Sequence, residues 1–277
     1  MISHLAILLM ALLSLGAAPA AAADKPGALR ELKQAVTANP QDPQAHYALG
    51  LKFEGLGKTK QAIAEYNKAL SLKPDDVKVL YSLGRLMGDT GQVDQAIEII
   101  KKAVKLKPDS AQARSLLAAA YNKQATALML QGNLDDAKAA LQAGLQAKGG
   151  PEQTQALLNN LGCLYVRGNQ REQAIGTFQD VLRQNPDMAQ AHYNLALLYY
   201  AQGDYQLASQ QMYALKGVDP NMAAELSGYR FRPQTPTDWT PPVKTLVTFP
   251  GSPLLTEGTM GVRGNHLVAS RHARFLR

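Results

Sequence analysis

Five histidines and a single cysteine, Cys163, are the first side chains to consider for metal or nucleophilic chemistry in this 277-residue chain. His46 and His192 lie in two copies of one phrase, AHYALGLKF at 45–53 and AHYNLALLY at 191–199. A metal site gathers several such ligands around one ion, and a reactive thiol needs a neighbouring group that stabilises the thiolate. No His or acidic residue stands close to Cys163 in the sequence, so we expect it to be a small apolar residue at a helix seam. The twin phrases are either a duplicated reactive site or two positions of a repeated scaffold.

The spacing of the prolines indicates a repeat. Pro40, Pro74 and Pro108 are 34 residues apart, and Pro186 and Pro220 are again 34 apart. Before each proline, apolar and small residues recur at spacings of three, four and seven, which is the pattern of one face of an α-helix. Each unit therefore reads as two helices followed by a proline that ends the second one. The recurring positions in the four regular units are Leu49, Gly50, Phe53, Ala62, Tyr66 and Ala69; Leu83, Gly84, Met87, Ala96, Ile100 and Ala103; Leu161, Gly162, Tyr165, Ala174, Phe178 and Val181; and Leu195, Ala196, Tyr199, Ala208, Met212 and Leu215.

Between the two helices of a unit, the residue five positions before the recurring alanine is Gly57, Gly91, Gly132 or Gly203. A chain leaving a helix commonly adopts a left-handed conformation at this point, which favours glycine. The fourth unit has Asn169 there, the next most favourable residue type. We predict a left-handed turn residue in all five units.

The third unit departs from the period in an interpretable way. Its turn and second helix remain as GNLDDAKAAL at 132–141, but its first helix is about seven residues longer, which is about two helical turns. About three more residues enter at 149–154. Together with four periods of 34, these insertions account for the 146 residues between His46 and His192.

The unit length and the pattern L-G-x-x-Y, A-x-x-x-Y/F-x-x-A, P resemble the tetratricopeptide repeat family over roughly residues 27–227. The resemblance implies an all-α fold, a right-handed superhelical solenoid of helix-turn-helix repeats without intrinsic catalytic machinery or cofactors. Ala28, Leu32 and Ala35 fill second-helix positions of a preceding half-repeat. The predicted domains are a half-repeat at 27–42 and repeats at about 43–76, 77–110, 111–151, 155–188 and 189–222, all within a solenoid at 24–227.

By the same resemblance, the first helices line a concave groove that binds an extended peptide or a partner helix. Asn160 and Asn194 share a position in successive units, like a short ladder of amides along a peptide backbone; the alternative is that both are solvated helix-face residues. The predicted groove residues are Tyr47, Leu51, Lys78, Tyr81, Arg85, Asn122, Lys123, Asn159, Asn160, Arg167, Tyr193, Asn194, Leu197 and Tyr200.

Two other functions of related proteins are not predicted. The carboxylate clamp of the family needs Lys and Arg at set positions of three adjacent units, where this chain has mainly Asn, Gln and Thr. The family geometry also places His46 and His192 tens of ångströms apart, so they cannot share a metal ion, and we expect both to pack near helix starts. No phosphate-binding glycine loop or nucleophile turn is present in the sequence. We therefore predict no enzymatic activity and no metal or cofactor.

The first 23 residues, MISHLAILLMALLSLGAAPAAAA, contain no Lys, Arg, Asp or Glu. An apolar stretch of about 11 residues that ends in small residues is typical of a secretory signal peptide, here 1–23 with cleavage before Asp24. The alternative is an uncleaved membrane anchor at 5–23. The prediction is an exported protein, periplasmic or secreted.

The last segment, 228–277, is Pro-rich and basic, with seven Lys and Arg against two Asp and Glu. The rest of the chain therefore nets only +2 of the total +7, which disfavours a nucleic-acid surface along the repeats. We predict that this tail is disordered, and its positive charge suits contact with an anionic polymer or lipid. Within it, 243–249 (VKTLVTF) has a β-like composition and could lie on another protein or in the groove; the alternative is an unstructured basic end.

These features predict a scaffold or adaptor that binds another protein in envelope assembly or secretion. The alternative is an accessory subunit of an enzyme complex that acts on polysaccharide or peptidoglycan, with the tail contacting the polymer. RNA binding through a related helical repeat is disfavoured by the 34-residue period and the export signal.

Overall fold

The computed structural model describes residues 27–228, 260–263 and 266–269. Twelve helices and two strands lie in these ranges, and the helices follow one another in antiparallel pairs, so the predicted all-α solenoid of helix-turn-helix repeats is confirmed. The predicted signal peptide and the 243–249 segment lie outside the described residues. The elements are α1 (Ala28–Ala38), α2 (Pro43–Gly55), α3 (Thr59–Leu72), α4 (Val77–Asp89), α5 (Val93–Leu106), α6 (Ala111–Gln131), α7 (Leu134–Gln146), α8 (Pro151–Arg167), α9 (Arg171–Gln184), α10 (Ala189–Gln202), α11 (Tyr205–Val218), α12 (Pro220–Gly228), β1 (Met260–Arg263) and β2 (His266–Ala269).

The described residues divide into two compact units between Leu86 and Met87. In the first unit α1 packs against α2, and α2 packs against α3. Gly50 of α2 lies directly against the ring of Tyr66 from α3, because a Cβ placed on Gly50 would come within 2.6 Å of two ring carbons. This close approach of two helices explains the small residue at that position of the repeat.

In the second unit each first helix contacts the next one: α6 contacts α8, α8 contacts α10, and α10 contacts α12. Each first helix also pairs with the second helix of its own repeat, α6 with α7, α8 with α9 and α10 with α11. The irregular repeat keeps this arrangement. Helix α6 has 21 residues, whereas α10 has 14, and α8 has 17. The predicted insertions thus lengthen two neighbouring helices by about two turns and about one turn.

The predicted left-handed turn residues are confirmed in all five units. The φ angles are 67° at Gly57, 83° at Gly91 and Gly132, 85° at Gly203, and 57° at Asn169. Asparagine therefore occupies the one turn where the repeat lacks glycine.

A short antiparallel pair of strands lies near the end of the chain. Met260 pairs with Ala269 and Arg263 with His266. The sequence pattern does not predict this hairpin, and the other residues of the predicted tail after 228 lie outside the described ranges. In the described part of the chain, no helix combines the length and the apolar character needed to cross a membrane.

Candidate functional site

The predicted contact residues of the first unit all retain solvent exposure. Tyr47 and Leu51 on α2 and Tyr81 on α4 are partly exposed, and Lys78 and Arg85 on α4 are exposed. They belong to neighbouring helices, since the Tyr47 hydroxyl lies 3.3 Å from Oγ of Ser82 and Arg85 donates to Glu54 of α2. We call these five residues the tyrosine surface. It combines apolar area with two cationic side chains.

Glu54 holds this surface in place, and sequence reasoning missed it. Its Oε2 accepts a 2.6 Å hydrogen bond from the buried Tyr66 hydroxyl, and its Oε1 accepts from Arg85. Burial, reinforced by the Glu54 carboxylate, raises the pKa of Tyr66 far above its usual range, so the phenol remains a donor. The sequence did contain a signal for Glu54: it lies seven residues after Tyr47, which places both residues on the same helix face. Both carboxylate oxygens of Glu54 therefore accept hydrogen bonds from within the protein.

The predicted asparagines of the second unit form a buried group that links α6, α8 and α10. Asn159, Asn160 and Asn194 are 0%, 1% and 3% exposed, while Asn122 is partly exposed. Asn160 Nδ2 donates to Asn122 Oδ1 at 2.7 Å, and Asn194 Nδ2 lies 3.5 Å from Asn159 Oδ1 and 3.6 Å from Cys163 Sγ. We call the four asparagines the amide cluster. Asn160 and Asn194 were expected to form an open ladder or to be solvated helix-face residues, and neither description fits, because both side chains are closed to solvent in this structure.

Two atoms of the amide cluster lack a hydrogen-bond partner among the described residues, Oδ1 of Asn160 and Oδ1 of Asn194. Turning the Asn160 amide over would set its oxygen against the Asn122 oxygen, and turning Asn194 over would oppose the Asn159 oxygen. A buried polar atom left unpaired costs about 1–3 kcal/mol. These two acceptors occupy equivalent positions of successive first helices.

The predicted cations beside the amide cluster are engaged by the protein itself. Lys123 Nζ lies 2.6 Å from Oδ1 of Asp89, and only 13% of the Lys123 side chain is exposed. Arg167 of α8 donates to the backbone carbonyl of Met129 on α6, and burial lowers the pKa of Arg167. Both side chains thus connect first helices rather than present a free charge.

Three predicted groove residues on α10 differ in accessibility. Tyr193 and Leu197 are 4% and 5% exposed, in one apolar cluster with Met222 and Leu226 of α12. The expectation that they lie open to a partner is therefore not supported, because α12 packs against this part of α10 in the position of a further first helix. Tyr200 is partly exposed, and its ring meets that of Tyr205 edge to face at 5.1 Å.

The twin histidines are structural. His46 Nε2 lies 3.1 Å from the Pro40 carbonyl oxygen and Nδ1 lies 2.6 Å from Glu65, and His192 makes the equivalent contacts with Pro186 at 2.7 Å and Gln211 at 2.8 Å. Both are buried, as predicted. Among the described residues, no group of three or more His, Cys, Asp or Glu side chains could hold a metal ion.

Cys163 gives a test of this packing. Burial raises the pKa of the Cys163 thiol to about 12, so the thiol is protonated near neutral pH, and its side chain is inaccessible. We expect Ellman's reagent at pH 8 to leave the native thiol unmodified until the protein opens, with labelling that accelerates as urea is added. Stoichiometric labelling within the first seconds, without urea, would show that the seam between α8 and α10 is open in solution.

One family model for the tetratricopeptide repeat matches this chain twice, at residues 13–77 and 159–223. A second tetratricopeptide repeat model matches residues 55–120. No curated protein matches the chain. Among solved structures, it is similar to YrrB, described as a tetratricopeptide repeat protein with an unusual peptide-binding site (18% identity, 71% of this chain, 97% of YrrB, TM-score 0.48). It is also similar to PilF of Pseudomonas aeruginosa (18% identity, 73% and 88% coverage, TM-score 0.49) and to residues 41 to the end of MamA from Desulfovibrio magneticus RS-1 (18% identity, 64% and 95% coverage, TM-score 0.48).

The family matches cover most of the helical region, and the helix pairs, left-handed turns and close glycine contacts account for its sequence pattern. The chain belongs to the tetratricopeptide repeat family.

Proposed function

We propose that this protein is an exported, non-enzymatic scaffold that binds an extended segment of another protein during envelope assembly or secretion. The export part of the proposal rests on the signal-like composition of residues 1–23. The binding part rests on the second unit.

The observation that carries the proposal is the pair of unpartnered oxygens of Asn160 and Asn194. An extended peptide offers backbone N–H donors at regular intervals, and an amide oxygen accepts from such a donor without reading the side chain. Supplying the missing donors removes the cost of two buried, unpaired acceptors. The amide cluster therefore favours a peptide backbone over a ligand that lacks donors.

The burial of the amide cluster affects how a partner binds. Asn160 and Asn194 are almost completely closed to solvent, so an incoming strand has to displace the side chains that cover them. Binding that requires such a rearrangement is slower than docking onto a preformed surface, where association rates are about 10⁵–10⁷ M⁻¹s⁻¹. We expect a rate below this range.

The tyrosine surface adds contacts of a different chemistry in the first unit. Tyr47 and Tyr81 offer rigid aromatic area at a low entropic cost. Lys78 is exposed beside them and has no ion pair among the described residues, whereas Arg85 pairs with Glu54. A partner with an apolar residue next to a carboxylate fits this surface.

The proposal is tested with peptides selected on the protein from a random displayed library and then measured by calorimetry. Replacing both cluster residues, Asn160→Leu with Asn194→Leu, keeps a similar volume and removes the two acceptors together with the Nδ2 donors to Asn122 and Asn159. The dissociation constant is expected to rise about 30-fold, which corresponds to two hydrogen bonds of about 1 kcal/mol each. The control is Asn67→Leu, which makes the same change at an exposed position of α3. An unchanged affinity in the double variant would refute the assignment.

A further inference from the structure

Four equivalent positions of the first helices differ in accessibility between the early and the late repeats. They follow the spacing i, i+3, i+4 and i+7, which places them on one side of each helix. In α2 and α4 all eight residues at these positions retain solvent exposure, whereas in α8 and α10 all eight are buried. We call them the groove positions: Gln44, Tyr47, Ala48 and Leu51; Lys78, Tyr81, Ser82 and Arg85; Ala156, Asn159, Asn160 and Cys163; and Gln190, Tyr193, Asn194 and Leu197.

Packing between neighbouring first helices does not explain this difference. The Tyr47 hydroxyl lies 3.3 Å from Ser82 Oγ, and at the same two positions Asn159 Oδ1 lies 3.5 Å from Asn194 Nδ2. The same contact thus leaves one pair of helices open and the other pair closed. Helix α12 covers part of α10, but it packs mainly with α10 and α11, so the closure of α8 has another cause.

The closed groove positions are also uncharged. Lys78 and Arg85 occupy open positions on α4, and none of the eight closed positions on α8 and α10 holds an Asp, Glu, Lys or Arg. A charge that is covered needs a partner, whereas a neutral side chain is covered at a lower cost. The late repeats therefore suit a groove that is covered, and α4 suits an open one.

Charge indicates which part of the chain covers the late repeats. Residues 150–228 contain seven Asp and Glu against four Lys and Arg, so this stretch is net −3. Residues 24–149 contain 18 Lys and Arg against 13 Asp and Glu, so they are net +5. From Met260 to Arg277 the chain has four arginines and no Asp or Glu. Electrostatic attraction therefore favours contact of this last stretch with α8–α12 over the earlier repeats.

The β1–β2 hairpin, which opens this basic stretch, needs a surface to pack on. A two-stranded hairpin alone is at best marginally stable in water. The register pairs Met260 with Ala269 and Val262 with Leu267. Because neighbouring residues of a strand alternate between its two faces, these four apolar residues share one face of the hairpin. An apolar face of this kind fits a groove without charged residues.

The chain between α12 and the hairpin is long enough for this contact. Met260 lies 32 positions after Gly228, where α12 ends. A chain of that length spans about 30 Å as a random coil. Helix α8 lies two first helices back from α12, roughly 20 Å at the usual spacing of packed helices. We propose that the β1–β2 hairpin of this same chain covers the groove positions of α8 and α10 and is displaced when a partner peptide binds.

The unpartnered oxygens of Asn160 and Asn194 make this internal occupant displaceable. No described residue, in the hairpin or elsewhere, donates to either oxygen. Tethering gives the hairpin an effective concentration on the order of mM, so it covers the groove when no partner is present. A peptide that supplies both donors makes hydrogen bonds that the hairpin does not make. The displacement step rests on the proposed function, whereas the covering of the groove does not.

The thiol of Cys163 reports on the covering, because it occupies one of the closed groove positions. In the full chain, Val262→Asp puts a charge on the apolar face of the hairpin, which an uncharged groove cannot pair. Labelling by Ellman's reagent is expected to become about 10-fold faster or more, as the local opening becomes more populated. The urea midpoint of the helices is expected to stay unchanged, since Val262 lies outside them.

The matched control is Val268→Asp, the same substitution on the opposite face of the hairpin, where Val268 pairs with Gly261. It is expected to label at the wild-type rate. Equal rates in all three proteins, or equal acceleration by both variants, overturn the proposal. Acceleration that follows a lowered urea midpoint also counts against it, because the thiol would then be reached by unfolding of the helices.

Peptide affinity tests the displacement separately. A peptide selected from a displayed library is expected to bind the Val262→Asp variant about 10-fold more tightly than the wild type, because the internal competitor is weakened. Faster labelling without tighter binding would refute displacement by the peptide and leave the covering intact. If no selected peptide binds either protein, the proposed function fails, while the labelling rates still decide whether the hairpin covers the groove.

Discussion

Replacing Gly50 or Gly162 by alanine is expected to destabilise the protein by about 1–3 kcal/mol each, as overpacking of a filled core does. An added Cβ would lie 2.6 Å from ring carbons of Tyr66 at Gly50 and 2.6 Å from a ring carbon of Phe178 at Gly162. Both rings are 0% exposed, and buried side chains in protein interiors are closely packed. The steric cost therefore exceeds the usual gain of about 0.5–1 kcal/mol from replacing a helical glycine by alanine.

Urea unfolding followed by circular dichroism measures the effect. The matched control is Gly176→Ala in α9, where a Cβ would meet nothing within 4 Å. That substitution is expected to stabilise by about 0.5–1 kcal/mol, the ordinary helix gain. If Gly50→Ala or Gly162→Ala instead raised the free energy of unfolding, the close packing of the helix pairs would be wrong.

The second large effect is expected from Phe178→Ala, which should cost about 3–5 kcal/mol. Phe178 is the fully buried aromatic residue between α8 and α9, in the apolar cluster of the second unit. Its removal opens a cavity that the surrounding structure fills only in part, so both transfer energy and packing energy are lost. The measurement is the shift of the urea midpoint at an unchanged slope.

The control for this prediction is Leu130→Ala, because Leu130 is 47% exposed at the end of α6. Its effect is expected to stay within about 0.5 kcal/mol. A loss of less than about 1 kcal/mol for Phe178→Ala, well below the range for large buried aromatics, would mean that the ring is not part of a packed core.

The repeat architecture was predictable because its causes are local. Apolar periodicity defines the helices, and a residue with positive φ must end the first helix of each pair, which is why Asn169 could be assigned beside four glycines. The longer third unit was also predictable, since an insertion of two turns preserves the apolar face. Helix α12 was not, because Pro220 reads as the end of a repeat although it begins another helix.

The candidate site was less predictable than the fold. Family positions identify which residues lie on the first helices, but exposure depends on what packs over them. Tyr193 and Leu197 are buried by α12, which the repeat pattern does not contain. The ion pair between Lys123 and Asp89 also depends on tertiary structure, because the two residues are 34 positions apart and lie on different helices. The unpaired oxygens of the amide cluster are visible only once side-chain orientations are known.

The most direct test of the central claim, that Asn160 and Asn194 accept hydrogen bonds from a peptide backbone, is an N-methylation scan of a selected peptide by calorimetry. Each peptide carries one N-methyl group, which removes one backbone donor. Methylation at two positions is expected to weaken binding to the wild type by about 5-fold or more each, equivalent to about 1 kcal/mol per hydrogen bond. The same peptides are expected to bind the Asn160→Leu/Asn194→Leu variant with nearly equal affinity. Losses of the same size in the wild type and the variant would contradict the claim.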